Sequence, residues 1–255
     1  MNKKIKSKPI EYTRKNCILF LNIMKNSKNI IDLAGMIDHS LLKPDATTKE
    51  IIHFCREAKK YKFATVFVNP CYVKRCVQEL HGHIKVGTTV GFPLGATTTA
   101  VKKFETEQSL QAGAQEIDMV INIGMLKSGN IKYVKNDIRS VVSTAHKYNA
   151  IVKVIIETAL LNKNEKIVAC QIAKRAGADF VKTSTGFSKS GATTSDVALM
   201  RKIVGPVMGV KASGGIRTRK DAMALIKSGA TRIGTSSGVK IVEKRIKNNS
   251  LKKPK

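Results

Sequence analysis

The stretch Ala176–Gly186, AGADFVKTSTG, runs from the end of one predicted helix into a short apolar run that closes on a lysine and a small-residue loop. Gly177 marks the helix stop, because glycine takes the left-handed C-terminal conformation at no steric cost. The joint recurs as Ala112-Gly113-Ala114 and Ser228-Gly229-Ala230. A helix-to-strand joint used three times points to a repeated unit, and such a unit builds a layered sheet.

Reading outward, short apolar runs alternate with longer amphipathic stretches from about residue 30. The runs are Gly35–Leu42, Ala64–Val68, Ile84–Val90, Glu116–Asn122, Val152–Glu157, Ala178–Lys182, Val207–Lys211 and Arg232–Ser236. Helices are predicted over Thr48–Tyr61, Pro70–Leu80, Thr98–Ala112, Ile131–Tyr148, Glu165–Ala176, Thr194–Ile203 and Thr218–Ser228. Strands alternating with helices imply a parallel sheet with crossover helices. Repeated about eight times, the unit predicts an α/β fold, a (β/α)8 TIM barrel. A doubly wound open sheet is the runner-up, but the glycine-rich turn of a dinucleotide site after the first strand is missing. The expected organisation is a poorly ordered basic extension over 1–28, the barrel over 29–240 and a basic tail over 241–255.

The net charge of +28 concentrates at the ends, with +13 carried by residues 1–28 and 239–255 together. Such an excess favours anionic substrates or polyanions. The remaining charge forms no dense block, aromatic residues are only 5%, and no zinc-finger spacing or recognition helix accompanies it, so solvated surface is preferred to specific nucleic-acid binding. Five scattered cysteines (Cys17, Cys55, Cys71, Cys76, Cys170) without a CxxC pair suggest reduced thiols in a cytoplasmic setting. The apolar run Cys17–Met24 is too short to span a bilayer.

Side chains at the C-terminal ends of barrel strands face the active site. Period-2 alternation places Lys182 inward with Phe180 and sends Val181 to the helix layer; Lys211 shares its face with Gly209 and Val207, and Asp118 with Val120 and Asn122. Lys153 shares a face with Glu157, and Asp38 lies between Ile37 and His39. A lone strand-end lysine is usually a rim charge. Several ionisable groups together cost several kcal/mol each to bury unless paired, which a fold tolerates mainly where chemistry requires it. An amine attacks a carbonyl only when unprotonated, and a second cation plus desolvation lowers its pKa. Two lysines beside a carboxylate therefore suit Schiff-base aldol chemistry, with the carboxylate moving protons. On this reading, replacing Lys211 would return Lys182 toward its unperturbed pKa.

Glycine-rich turns before helices supply anion sites through backbone N–H groups. Thr185-Gly186, Ser213-Gly214-Gly215-Ile216 and Thr235-Ser236-Ser237-Gly238 follow late strands, and phosphate sites in such barrels lie after strands seven and eight.

These blocks, IDHSLLKPDAT, ATVFVNPCYV, VGFPLG, EIDMVINIGMLKSG, VKVIIET, DFVKTSTGF, GVKASGGIRT and RIGTSSG, come in order over residues 30–240 and resemble the deoxyribose-phosphate aldolase family. The resemblance implies reversible cleavage of 2-deoxy-D-ribose 5-phosphate to acetaldehyde and D-glyceraldehyde 3-phosphate, in deoxyribonucleoside catabolism, with no metal or organic cofactor. It implies Lys182 as the Schiff-base nucleophile, Lys211 as pKa perturber and proton carrier, and Asp118 as acid/base partner. Gly186, Gly214, Gly215, Ser236 and Ser237 would bind phosphate, with Asp38, Lys153 and Thr185 in support. Phe67 stands where many relatives carry a cysteine, and Phe187 where some carry a lysine. The implied partners are a phosphorylated sugar and a second copy in a dimer, with no specific nucleic acid and no membrane. A nucleic-acid-associated protein and a transaldolase-like barrel remain the competing classes, separable by salt-resistant DNA binding and by product analysis.

Overall fold

The computed structural model describes residues 32–243. The extension expected over 1–28, with Cys17 and the run Cys17–Met24, and most of the tail expected over 241–255 lie outside the described residues. Eight strands, β1 Ile37–Leu41, β2 Thr65–Val68, β3 Lys85–Val90, β4 Glu116–Val120, β5 Ile151–Ile155, β6 Phe180–Lys182, β7 Gly209–Ser213 and β8 Arg232–Thr235, pair in parallel and in chain order. β8 closes on β1 through Ile37 opposite Ile233, making the predicted (β/α)8 TIM barrel.

The helices are α1 Thr48–Tyr61, α2 Val73–Leu80, α3 Thr99–Gln111, α4 Ile123–Lys127, α5 Ile131–Lys147, α6 Lys163–Arg175, α7 Thr194–Val204 and α8 Arg219–Lys227. Their starts follow from side-chain caps that satisfy free N–H groups: Thr47 with Glu50, Asn162 with Glu165 and Thr218 with Asp221 form reciprocal capping boxes. The helix predicted from Pro70 opens as a 3-10 turn over Pro70–Tyr72 before α2. Short α4, capped by Asn122, occupies a stretch in which no helix was predicted. Among the described residues, 238–243 are helical as well and make a ninth α-helix, α9. Ile241 is fully buried in the core, so the first residues assigned to the tail belong to the barrel's covering layer.

Outward-facing Ile37, Val66, Ile117, Val152, Val181, Val210 and Ile233 pack with the helices into one apolar layer. Fully burying side chains of this kind contributes about 1.5–3 kcal/mol each. The inward faces are different. They carry Asp38, Glu116, Asp118, Lys153, Lys182, Lys211 and Arg232, all buried, packed around Phe67 and Phe180. Each phenyl ring stands opposite a glycine in register, Phe67 across from Gly87 and Phe180 across from Gly209, and a methyl group on either glycine would overlap the ring. One expectation fails: Val207 is not on the inward face with Lys211. β7 starts at Gly209, and Val207 is 54% exposed, because the turn begun by Gly205 (φ 75°) and Pro206 carries the chain outside the barrel before pairing begins.

Candidate active site

Lys182 ends β6, and the register sets it between Ile155 of β5 and Lys211 of β7. Its backbone is held on both sides: its carbonyl accepts from the Ile156 N–H at 3.0 Å, and the next amide, Thr183, donates to the Lys211 carbonyl at 3.0 Å. The side chain points inward, only 3% exposed. A single carboxylate oxygen, Asp118 Oδ2, accepts from Lys182 Nζ at 2.8 Å and from Lys211 Nζ at 2.7 Å. Lys211 Nζ also lies 2.7 Å from Asp38 Oδ2. The fold therefore brings Lys182, Lys211, Asp118 and Asp38 into one continuous cluster, the two lysines hydrogen-bonded to Asp118 and Lys211 ion-paired with Asp38.

Below this cluster lies a second ionic layer. Lys153 donates to Glu116 and stands 3.4 Å from Asp118 Oδ1 and 3.7 Å from Asp38 Oδ2. Arg232 donates to Asp38 Oδ1 at 2.5 Å and to Thr65 Oγ1 at 3.1 Å, and approaches Glu116 at 3.7 Å. The Phe67 ring lies beneath two of these cations, 3.7 Å from Lys211 Nζ and 4.5 Å from Lys153 Nζ, where its π face attracts them. Phe67 thus fills a position deep in the barrel and contacts charge directly.

The charges bias one another unequally. Burial lowers Lys182 to about 8, opposed by Asp118 and assisted by Lys211. Both causes expected from the sequence, desolvation and a second cation, act on this amine, and burial is the larger of the two. At Lys153 burial also acts downward, but Glu116, Asp118 and Asp38 outweigh it and raise the pKa. Burial would raise Asp118, yet Lys182, Lys211 and Lys153 together bring it to about 2. Asp38 is likewise held well below the usual carboxylate range: burial is outweighed by Lys211, Arg232 and Lys153. At neutral pH Asp38 and Asp118 are ionised, and Lys182 sheds its proton far more readily than an ordinary lysine.

The Lys182 amine opens into a cavity of about 360 Å³ at the C-terminal end of the barrel. Gly186, Gly214, Gly215, Ser236 and Ser237, the five candidates for anion binding, all line it, together with Thr185 and Phe187. Asp38, Lys153 and Asp118 lie deeper. Gly186, Gly214 and Gly215 have φ of 90°, 87° and 76°, left-handed values at which a side chain would be strained. Ser40, Lys43 and Arg217 also line the cavity and escaped notice in the sequence, since an exposed lysine or arginine in a loop looks like any other in so basic a chain. Glu116 and Arg232 were missed too: at the first position of a strand each reads as a rim charge. The signal available for both was their parity with Asp118 and with Gly234 on the inward face.

Comparison with known proteins places these features in a family. Residues 33–244 match the model of the DeoC/LacD family aldolases. A protein named deoxyribose-phosphate aldolase from Geobacillus sp. (strain WCH70) is 58% identical over 220 residues, covering 86% of this chain and 98% of the relative. One of the same name from Thermococcus gammatolerans is 59% identical over 216 residues, 84% of this chain and 96% of the relative. Among solved structures, an aldolase called QR15 superposes with a TM-score of 0.84 at 38% identity, covering 88% of this chain and all of that one. A tetrameric deoxyribose phosphate aldolase from Aeropyrum pernix gives 0.79 at 35% identity, covering 91% of this chain and 97% of that one.

Proposed function

This chain belongs to the DeoC/LacD family of aldolases, and from that premise we propose that it is a Schiff-base aldolase that reversibly cleaves 2-deoxy-D-ribose 5-phosphate into acetaldehyde and D-glyceraldehyde 3-phosphate. The observation that carries the reading is the buried Lys182 amine, with a pKa lowered to about 8, bonded to Asp118 and opening into a cavity walled by glycine turns.

In the cleavage direction the neutral Lys182 Nζ attacks C1 of the open-chain aldehyde, and the carbinolamine loses water to give an iminium. A base takes the proton of the C3 hydroxyl as the C2–C3 bond breaks. Its electrons move into the iminium, leaving an enamine on Lys182 and releasing D-glyceraldehyde 3-phosphate. Protonation of the enamine at C2 and addition of water then release acetaldehyde and regenerate the amine. Asp118, joined to Lys211 through one oxygen, is suited to move these protons with a bound water, because the amine and carboxylate already share hydrogen bonds. Gly186, Gly214, Gly215, Ser236 and Ser237 would receive the phosphate on backbone N–H and hydroxyl donors, while Asp38, Lys153 and Thr185 hold the surrounding groups. The reaction so written uses no metal or organic cofactor. We place it in deoxyribonucleoside catabolism in the cytoplasm, with the enzyme acting as a homo-oligomer, expected to be a dimer, and binding no nucleic acid specifically.

Incubation with acetaldehyde and borohydride should add a reduced two-carbon unit to Lys182, and cleavage of 2-deoxyribose 5-phosphate should yield glyceraldehyde 3-phosphate in a coupled assay. Folded protein that leaves Lys182 unmodified would end this reading, and products other than acetaldehyde and the triose phosphate would move it to another Schiff-base barrel.

A further inference from the structure

Glu157 follows β5 by two residues and carries two burdens. Its backbone is left-handed, φ 53° and ψ 69°, a conformation that costs a non-glycine residue about 1–2 kcal/mol. Its side chain is buried, and among the described residues Oε1 accepts no hydrogen bond. Neither favours stability, and an observed outlier of this kind is a reason to look for a task.

The other oxygen is fully engaged. Glu157 Oε2 accepts from the Thr185 N–H at 3.0 Å and from the Thr185 hydroxyl at 2.5 Å. With its proton committed to Glu157, Thr185 Oγ1 accepts from the Phe187 N–H at 3.0 Å. The amides of residues 185 and 187 are thus both consumed internally, whereas the amide of Gly186 between them meets no acceptor among the described residues. Gly186 is exposed on the cavity wall. The same device recurs in the loop after β8, two strands along: Thr235 Oγ1 donates to the Ile216 carbonyl at 2.7 Å and accepts from the Ser237 N–H at 2.9 Å, leaving Ser236 as the middle residue. The two loops differ in what anchors the threonine. On the β8 loop it is a neutral carbonyl; on the β6 loop it is the buried side chain of Glu157.

We infer that Glu157 is a positioning residue of the anion pocket, acting through Thr185 to present the Gly186 amide, and that it sets the preference for a phosphorylated over an unphosphorylated substrate. A carboxylate near an anion pocket is repulsive by charge. It is tolerable because it turns competing amides away from the cavity and fixes the loop before substrate arrives, so that no ordering cost falls on binding. The inference rests on the aldolase reading above, and its test separates the two.

The ratio of kcat/KM for 2-deoxyribose 5-phosphate to that for 2-deoxyribose should fall about tenfold in Glu157→Ala and in Thr185→Val. Inhibition of 2-deoxyribose cleavage by inorganic phosphate should weaken in parallel. Thr185→Ser, which keeps the hydroxyl, should retain the wild-type ratio. Equal losses on both substrates would overturn the inference, since they would place Glu157 in support of the Lys182 strand rather than of the anion loop; an unchanged ratio would overturn it as well. If Glu157→Ala does not fold, the valine and serine variants of Thr185 decide the matter. Failure of the aldolase reading would appear in the wild type as no cleavage of either sugar, and calorimetric binding of inorganic phosphate to wild type and Thr185→Val would still read the loop.

Discussion

Replacing Lys211 by leucine separates two roles that the same ammonium group can play. As a neighbouring cation it helps to keep Lys182 unprotonated; as a hydrogen-bond partner of Asp118 it can also carry protons. Magnitudes distinguish them. With Lys182 at about 8, roughly a quarter of the amine is free at pH 7.5; were it to return all the way to 10.5, about one part in a thousand would be. Loss of tuning alone therefore lowers kcat/KM at pH 7.5 by at most about 240-fold. The actual shift should be smaller, because burial, the leading cause, survives the substitution. Any loss beyond that ceiling measures proton transfer.

The assay is kcat/KM from pH 6 to 10 in wild type and Lys211→Leu, paired with the pH dependence of borohydride trapping, which reports the free amine without the later proton transfers. In wild type both should rise with an apparent pKa near 8. In the variant the trapping limb should move to higher pH, and raising the pH should restore trapping completely but turnover only in part. A wild-type trapping limb near 10.5 would refute the claim that burial tunes this amine. A variant limb that stays at about 8 would remove Lys211 from the tuning altogether.

Lys182→Leu should abolish both adduct and turnover while preserving the fold, as read by circular dichroism. It should also change how stability depends on pH. A lysine lowered in the folded state destabilises it fully below pH 8 and not at all above 10.5, about 3 kcal/mol in total, so the stability of the variant relative to wild type should decline across that window in urea unfolding. Asp118 acts with the opposite sign: depressed to about 2, it contributes stability that is complete above 3.8 and is lost as the pH falls through 2, so Asp118→Asn should be less sensitive to acid over that range. Gly87→Ala should destabilise the barrel by about 1–3 kcal/mol through overlap with Phe67, and adding Phe67→Leu should recover part of that loss; additive effects in the double variant would show that the two do not share space. Arg232→Met leaves Asp38 and Glu116 short of a cation and should cost about 3–5 kcal/mol in unfolding measurements, whereas no change would mean that the lower ionic layer is dispensable.

Much of this was legible in the sequence because strand alternation is a strict period. Knowing that AGADFVKTSTG enters a barrel strand is enough to send Lys182 and Phe180 inward and Val181 outward, and the same parity applies to Lys211 and Asp118. It failed at Val207, where the strand start was placed two residues early, because an apolar valine after Gly205-Pro206 looks like strand whether or not it pairs. Register was not legible at all. That Phe67 meets Gly87, and Phe180 meets Gly209, is a cross-strand fact, and until it is known the phenylalanine in β2 is only one more apolar strand residue. The left-handed backbone of Glu157 was equally hidden, since VKVIIE reads as uninterrupted strand.

Why Lys182 rather than Lys153 should be the reacting amine follows from counting charge inside the barrel. Four cations, Lys153, Lys182, Lys211 and Arg232, face three carboxylates, Asp38, Glu116 and Asp118. With every group ionised the interior holds one uncompensated positive charge, which a low-dielectric site resists. Relief comes from the cation with least to lose by deprotonating. Lys153 is surrounded by all three carboxylates and two aromatic rings, and is raised. Arginine does not deprotonate in this range. Lys211 is held between Asp38 and Asp118 over the Phe67 face. Lys182 has a single carboxylate, shared with Lys211, and alone among the four lines the cavity. The unpaired charge thus settles on the one amine that substrate can reach. The lower layer, Glu116 and Arg232 included, helps to keep the three carboxylates matched by three other cations, so that the fourth can be neutral.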